Sequence, residues 1–99
     1  MVERRHGWVM PGIRVKLFAN LREFAGTKEL EVEGGTVREV LQKLCLKFPG
    51  FEKMIFDEEK IKPYINVFLN GKNILEKGGL GTRLKRDDEI AIFPPISGG

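Results

Sequence analysis

The end of the chain offers the clearest chemistry in this sequence. Gly98-Gly99 is the last dipeptide, and Pro94-Pro95 stands shortly before it. Two adjacent prolines hold the backbone extended, so they project the end away from the preceding domain. Glycine has no Cβ, and a Gly-Gly end is therefore narrow enough for groups of another protein to close around its carboxylate. This is what a terminal carboxylate needs if another enzyme is to bring it onto a nucleotide phosphate. The alternative is a flexible end, because termini fray and glycine is common in them.

The chain has too few cysteines and histidines for most other kinds of catalytic or metal-binding site. The 99 residues include one cysteine, Cys45, and one histidine, His6. These are too few for a disulfide framework, a thiolate metal site or a catalytic triad. Cys45 lies four residues after Leu41 and three before Phe48, on the flank of an apolar helical stripe. We interpret it as a small buried hydrophobe rather than a reactive thiol.

The charged residues are mixed in sign along the chain. There are 17 Lys and Arg against 14 Asp and Glu, a net charge of +3. Even the basic run Arg83–Arg86 is followed directly by Asp87-Asp88-Glu89. A nucleic-acid site requires clustered cations, and a membrane helix requires about 20 apolar residues. We therefore predict a cytoplasmic protein with no nucleic-acid or membrane partner; Met1–Arg5 is not a secretory signal, because no apolar stretch follows it.

A strand hairpin and an amphipathic helix are predicted in the first half. Residues 13–17 and 29–33 alternate apolar and charged side chains, as strands with one buried face do, and 20–27 is interpreted as the turn between them. Thr36 and Glu39 form a capping box at the start of the helix. Its apolar stripe, spaced by three and four residues, consists of Val37, Val40, Leu41, Leu44 and Phe48.

The second half predicts three further strands. A short irregular helical piece around Asp57-Glu58-Glu59 is indicated by Phe51, Met54, Ile55 and Ile61. Period-two alternation then returns at residues 65–69. Asn70-Gly71 predicts a two-residue hairpin turn, with residues 73–75 as the returning strand. Residues 89–93 form the last strand. The order β-β-α-(α)-β-β-β predicts an α+β fold with one main helix on a mixed sheet.

Three ranges divide the chain. Residues 1–12 show no periodicity and end in the turn pair Pro11-Gly12, so we expect a disordered N-terminal arm. Residues 13–95 form the single domain, and residues 96–99 form a flexible reactive tail.

Three stretches resemble the MoaD type of ubiquitin-like sulfur carrier, the small subunit of molybdopterin synthase, within the MoaD/ThiS-type family. Residues 13–23 are similar to the opening of that family, and residues 36–41 to the start of its helix. Residues 88–99, which end in Phe-Pro-Pro-Ile-Ser-Gly-Gly, are similar to its closing strand and tail. The arm 1–12 has no counterpart, and residues 51–62 match poorly.

The resemblance implies a β-grasp (ubiquitin-like) fold and a carrier rather than a stand-alone catalyst. An activating enzyme of the MoeB type would adenylate the Gly99 carboxylate with ATP, and a persulfide sulfur would displace AMP to leave a thiocarboxylate. The molybdopterin synthase large subunit would then receive the tail, which donates its sulfur to a pterin precursor. Gly98 is the slim residue before the reactive carbonyl, and Phe93, Pro94 and Pro95 set the exit of the tail. No cofactor is expected on this chain.

An aromatic docking patch is also predicted. Phe18, Phe68 and Phe93 point outward from the predicted strands and share one sheet face. Partly exposed aromatic residues beside a reactive tail are typical of a docking surface for the activating enzyme or the synthase. The tail residues assigned to the same patch are Pro94, Pro95 and Ile96. The alternative is that Phe18 or Phe68 packs under the arm or a loop.

Other functions remain open on the sequence. In one, Gly99 is joined by an isopeptide bond to lysines of target proteins, as archaeal modifiers of this family do. Sulfur donation in the thiamine pathway is a near relative, disfavoured by Phe93-Pro94-Pro95 and by the extra residues 51–62. In another alternative, the domain is a passive interaction module and its Gly-Gly end has no function. Removing Gly98 and Gly99 separates this module from the carriers.

Overall fold

The computed structural model describes residues 11–94 of the chain. The expectations for most of the N-terminal arm lie outside the described residues, as do those for the tail residues Pro95, Ile96, Gly98 and Gly99. None of the helices between residues 11 and 94 has the length and apolar character of a membrane span.

Seven strands and three helices make up the described chain. In chain order they are β1 (Gly12–Leu17), α1 (Ala19–Ala25), β2 (Glu29–Glu33), α2 (Val37–Lys47), α3 (Phe51–Ile55), β3 (Phe56–Asp57), β4 (Lys60–Ile61), β5 (Asn66–Leu69), β6 (Lys72–Asn73) and β7 (Glu89–Phe93). Two 3₁₀ turns, Ile74–Glu76 and Gly79–Gly81, lie between β6 and β7.

The main sheet is mixed, as predicted. Its strand order is β2-β1-β7-β5-β6, and β3 pairs with β4 in a separate two-stranded ribbon. The first and last strands run parallel at the centre, where Val15 pairs with Ile90, while the other neighbours are antiparallel. Strand β1 begins at Gly12, and the Pro11 carbonyl accepts a hydrogen bond from the Gly34 N–H at 3.1 Å. These two residues therefore belong to the folded domain and not to the predicted arm.

The core lies between one face of this sheet and α2. The strands alternate, so that every second side chain points at the helix and becomes inaccessible to water. Burial of these apolar side chains is the main favourable term in folding. The residues of the core that are 0–1% exposed are Ile13, Val15, Leu17, Leu21, Val37, Val40, Leu41, Leu44, Phe51, Ile55, Ile74, Ile90 and Ile92.

The capping box at the start of α2 is confirmed. The Thr36 hydroxyl accepts from the Glu39 N–H at 3.2 Å, and the Glu39 carboxylate accepts from the Gly35 N–H at 2.7 Å. Two backbone donors that the helix cannot satisfy internally are thereby paired. The predicted stripe is buried except for Phe48, which is half-buried and ends the helix.

Residues 20–27 are not a simple turn. Ala19–Ala25 form α1, which Gly26 ends in the left-handed conformation. Seven residues span only about two helical turns, too few for a visible period. A single fully buried residue, Leu21, fixes the helix to the core. Packing of one side chain, rather than a repeated pattern, therefore decides this element.

Two other predictions in the second half need correction. The short helical piece is present as α3, but it ends at Ile55. Asp57-Glu58-Glu59 is instead the turn of the β3–β4 ribbon, with Glu58 at φ +62° and Phe56 paired to Ile61. The strand after Asn70-Gly71 stops at Asn73 instead of reaching residue 75. The Asn73 carboxamide oxygen accepts from the Leu75 N–H at 2.9 Å, which starts a 3₁₀ turn there.

A hydrogen-bonded clip fixes the start of the last strand. Asn70-Gly71 forms the predicted hairpin turn, and the Asn70 amide nitrogen donates to the Asp88 carboxylate at 2.9 Å. The Asn70 side-chain oxygen accepts from the Glu89 N–H, and the Asp88 carboxylate accepts from the Lys85 N–H, each at 2.9 Å. Asp88 is only 6% exposed, so these bonds satisfy a carboxylate that is largely removed from water. The clip sets where β7 begins and hence the register that carries the chain towards its end.

Candidate functional site

Three phenylalanines form a cluster on the sheet face that points away from α2. Phe18 follows β1, Phe68 lies in β5, and Phe93 is the last residue of β7. The rings of Phe18 and Phe93 are stacked, with centroids 4.3 Å apart and planes at 13°. Phe68 meets Phe93 edge-on at 5.4 Å. The predicted shared face is therefore observed, and Phe18 and Phe68 both pack on Phe93.

These half-buried rings line a shallow depression of about 420 Å³. Ala91 contributes a small floor between them, and Lys16 and Glu89 also line it. A concave apolar surface with charged neighbours is suited to receiving side chains of another protein. We call Phe18, Phe68, Phe93 and Ala91 the aromatic patch.

The exit of the tail lies beside this patch. Strand β7 is hydrogen-bonded to β1 on one side and to β5 on the other, with Ile92 fully buried between Leu17 and Val67. Pro94, the next residue after the strand, is buried. The point at which the chain leaves the sheet is therefore held firmly. From it, residues 95–99 can reach at most about 17 Å.

Charged side chains cover the part of the same face that adjoins the patch. Arg14 lies 3.0 Å from Glu29 and 3.8 Å from Glu89, and Lys16 lies 3.5 Å from Glu89. Because these groups are exposed to solvent, each pair contributes little to stability. Sequence reasoning treats these residues only as mixed surface charge and misses their arrangement. The glutamates of 29–33, which alternate opposite Arg14 and Lys16, carry the signal that could have identified it.

Cys45 is half-buried and packs against the core. Burial raises the pKa of its thiol from 9.0 to about 11, and the negative charge of Glu52 adds to the rise. A thiol that stays protonated at neutral pH is a poor nucleophile. Among residues 11–94, no three His, Cys, Asp or Glu side chains are grouped to hold a metal ion.

We expect Cys45 to resist alkylation at neutral pH. At pH 8 the folded protein should react with iodoacetamide about a hundredfold more slowly than the urea-unfolded chain, because far less thiolate is present. The folded state holds this proton more tightly, so the thiol stabilises the fold below about pH 9, and that contribution is lost as the pH rises towards 11. Mass spectrometry of the labelled protein measures both rates. Equal rates would contradict the raised pKa.

The fold and the site define a class of protein. A five-stranded mixed sheet packed on one main helix, with a central last strand leading to a Gly-Gly end, is the β-grasp arrangement of ubiquitin-like proteins. The solution structure of the small archaeal modifier protein 1 from Methanosarcina acetivorans superimposes with a TM-score of 0.81 and 47% identity, over 91% of this chain and 98% of that one. The predicted fold class is confirmed.

The family follows from the sequence match. The model of the ThiS family matches residues 15–99, and the chain belongs to this family of ubiquitin-like sulfur carriers. The molybdopterin synthase sulfur carrier subunit of Arabidopsis thaliana is 34% identical over 90 residues, which are 88% of this chain and 82% of that protein. CysO in the BexX/CysO complex of Amycolatopsis orientalis has a TM-score of 0.80 and 31% identity, over 88% of this chain and 99% of that one.

Proposed function

We propose that this chain carries sulfur as a thiocarboxylate on Gly99 and donates it to a pterin precursor in molybdopterin synthase. The observation that supports the proposal is the position of β7. This strand is bonded on both sides, and it leads towards the Gly-Gly end from a fixed point beside the aromatic patch. A partner that holds the patch can therefore place the carboxylate within about 17 Å of the exit point.

The chemistry needs activation because a carboxylate is a poor acyl donor. A Gly99 carboxylate oxygen attacks the α-phosphorus of ATP, and pyrophosphate leaves. A persulfide sulfur then attacks the acyl carbon, and AMP leaves with the electron pair of the broken C–O bond. Reductive cleavage of the resulting S–S bond by a thiol leaves the thiocarboxylate. The ATP is bound by the activating enzyme, here of the MoeB type, and not by this chain.

The aromatic patch and the tail residues Pro95 and Ile96 would dock the chain on its partners. Pro94, which was predicted to join them, is buried and therefore fixes the exit of the tail instead of contacting a partner. Large rigid aromatic side chains give much contact area at low entropic cost, which is why they dominate binding at interfaces. The likeness to the Arabidopsis molybdopterin synthase subunit supports the pterin route and a large synthase subunit as acceptor. The BexX/CysO complex supports the general expectation that carriers of this fold bind other proteins.

Protein modification is the second candidate, and it is favoured by a specific observation. The Methanosarcina modifier shares 47% identity with this chain, over nearly its whole length. Both routes begin with the same adenylate on Gly99. They differ in the group that attacks the acyl carbon, which is a sulfur in one case and the amine of a lysine in the other. The acceptor therefore separates them.

Mass spectrometry of the protein from its own cells tests the two routes. Trypsin cuts after Arg86 and releases residues 87–99, which contain neither Met nor Cys. Replacing one oxygen by sulfur adds about 16 Da, and in this peptide the gain cannot arise from methionine oxidation. Lysines of other proteins that carry residues 87–99 as a branch would indicate modification. If neither product forms in cells that make the pterin cofactor, the proposed function is wrong.

A further inference from the structure

We propose that the exposed sheet face is a two-part docking surface, in which the aromatic patch anchors the activating enzyme and a row of glutamates on β2 recognises its basic side chains. The inference rests on the proposed function, because it assigns the partner by the adenylation step. The glutamate row consists of Glu29, Glu31 and Glu33.

The register of the sheet places the row beside the patch. Glu29, Glu31 and Glu33 pair with Lys16, Arg14 and Gly12 of β1, respectively. Residues directly opposite each other in a sheet point to the same side. The row therefore shares the outward face with the aromatic patch. Since β2 is the edge strand, its side chains are open to an approaching protein.

The face is acidic although the chain as a whole is basic. The chain has a formal net charge of +3. Among the strand residues that the structure describes on this face, four glutamates (the row and Glu89) stand against Arg14 and Lys16, which leaves two negative charges. Arg14 is paired with Glu29 and Glu89, and Lys16 is paired with Glu89. Among residues 11–94, the ion pairs on this face involve Glu29 and Glu89 but not Glu31 or Glu33, which are both exposed.

Gly12 lets the Glu31 carboxylate lie over β1. A Cβ built at Gly12 would collide with the Glu31 carboxylate oxygen, so any other residue at this position would push the glutamate aside. With glycine there, the carboxylate lies across the sheet instead of pointing away from its edge. It lines a second depression of about 550 Å³ together with Glu29, Arg14 and Asp87.

The two depressions form one continuous surface. Glu89 lines the aromatic one and Arg14 lines the acidic one, and their side chains meet at 3.8 Å. A partner that covers the phenylalanines and extends over this contact therefore also faces Glu29 and Glu31. An enzyme that binds ATP and a terminal carboxylate gathers Arg and Lys around its site. Basic side chains of the enzyme on the surface that meets the row would complement it, and such complementarity speeds association.

Charge reversal on purified proteins tests the inference. The variant Glu31→Lys/Glu33→Lys is compared with Glu58→Lys/Glu59→Lys, which changes the net charge equally on the exposed β3–β4 turn. Binding to the purified adenylating enzyme of the same organism is followed by stopped flow from about 50 mM to 1 M NaCl. We expect the first variant to associate at least about tenfold more slowly at low salt and to match the wild type at high salt. The second variant should behave like the wild type.

A neutral variant separates the effect of lost charge from misfolding caused by the introduced lysines. Glu31→Gln/Glu33→Gln avoids placing a lysine opposite Arg14, and it should give an intermediate loss with an unchanged melting temperature. Equal association rates for the two charge-reversed variants would overturn the inference, even if the row variant lost binding to the synthase subunit. If the enzyme failed to adenylate the wild-type chain at all, the proposed function itself would fail. The two failures are therefore distinguishable.

Discussion

Replacing Gly99 by alanine should lower adenylation by the activating enzyme about a hundredfold or more while leaving the fold intact. The enzyme must bring the terminal carboxylate in line with the α-phosphorus of ATP, and a displacement of about 1 Å at a reacting atom costs this much. The added methyl group stands next to the reacting carbon, where the surrounding groups would have to move away. Pyrophosphate release with purified enzyme, at several concentrations of the carrier, gives kcat and KM separately.

A matched change elsewhere in the chain controls for the substitution itself. Gly81 is exposed, and no atom lies within 4 Å of the position that a Cβ would take there, so Gly81→Ala adds the same methyl group harmlessly. It should leave adenylation unchanged. Deleting Gly99 should abolish the reaction, and both tail variants should melt at the wild-type temperature. Normal adenylation of Gly99→Ala would contradict the role of the tail.

Replacing Phe93 by alanine should weaken partner binding more than it weakens the fold. Phe93 is the centre of the aromatic patch, since it stacks on Phe18 at 4.3 Å and meets Phe68 edge-on at 5.4 Å. Its removal would delete an anchor and would also leave the rings of Phe18 and Phe68 without the ring on which both pack. Loss of a central aromatic anchor typically costs about 2 kcal/mol or more, roughly a thirtyfold rise in Kd. The half-buried ring should contribute only about 1–2 kcal/mol to folding.

Phe24→Ala is the control for this change. Phe24 is 52% exposed and packs on Phe51 rather than on the sheet face, so its replacement removes an aromatic ring elsewhere. Isothermal titration with the adenylating enzyme gives Kd for both variants, and calorimetry gives Tm. Similar Kd values for Phe93→Ala and Phe24→Ala would show that the patch is not a docking surface. A Phe93→Ala protein that no longer folds would contradict the prediction that the ring contributes little to stability.

Elements with a repeated pattern could be predicted from the sequence. The capping residues Thr36 and Glu39 and the apolar stripe indicate the correct start of α2, because helix caps and packing faces are local properties. Alternation likewise predicts β1, β2 and β7. Since outward residues follow from the same alternation, the shared face of Phe18, Phe68 and Phe93 was also predictable.

Elements decided by single contacts could not be predicted. The segment that forms α1 has the composition of a turn, and packing of one buried residue, Leu21, stabilises it as a helix. Strand β6 ends early because the Asn73 side chain caps the 3₁₀ turn that follows. The glutamate row was missed for a related reason. Whether Glu31 is only a surface charge depends on the register that sets it opposite Arg14 and lets its carboxylate reach diagonally over Gly12, and register is a property of two separate segments.

The parallel pairing of the first and last strands has a consequence for biosynthesis. Arg14 cannot find Glu89, nor Leu17 find Ile92, until the segment that holds β7 has emerged from the ribosome. Pairings between such distant segments form late, because a long loop must close first. A product that stops short of β7 therefore never acquires the native centre of the sheet. An activating enzyme that binds the complete sheet face therefore does not bind such a fragment.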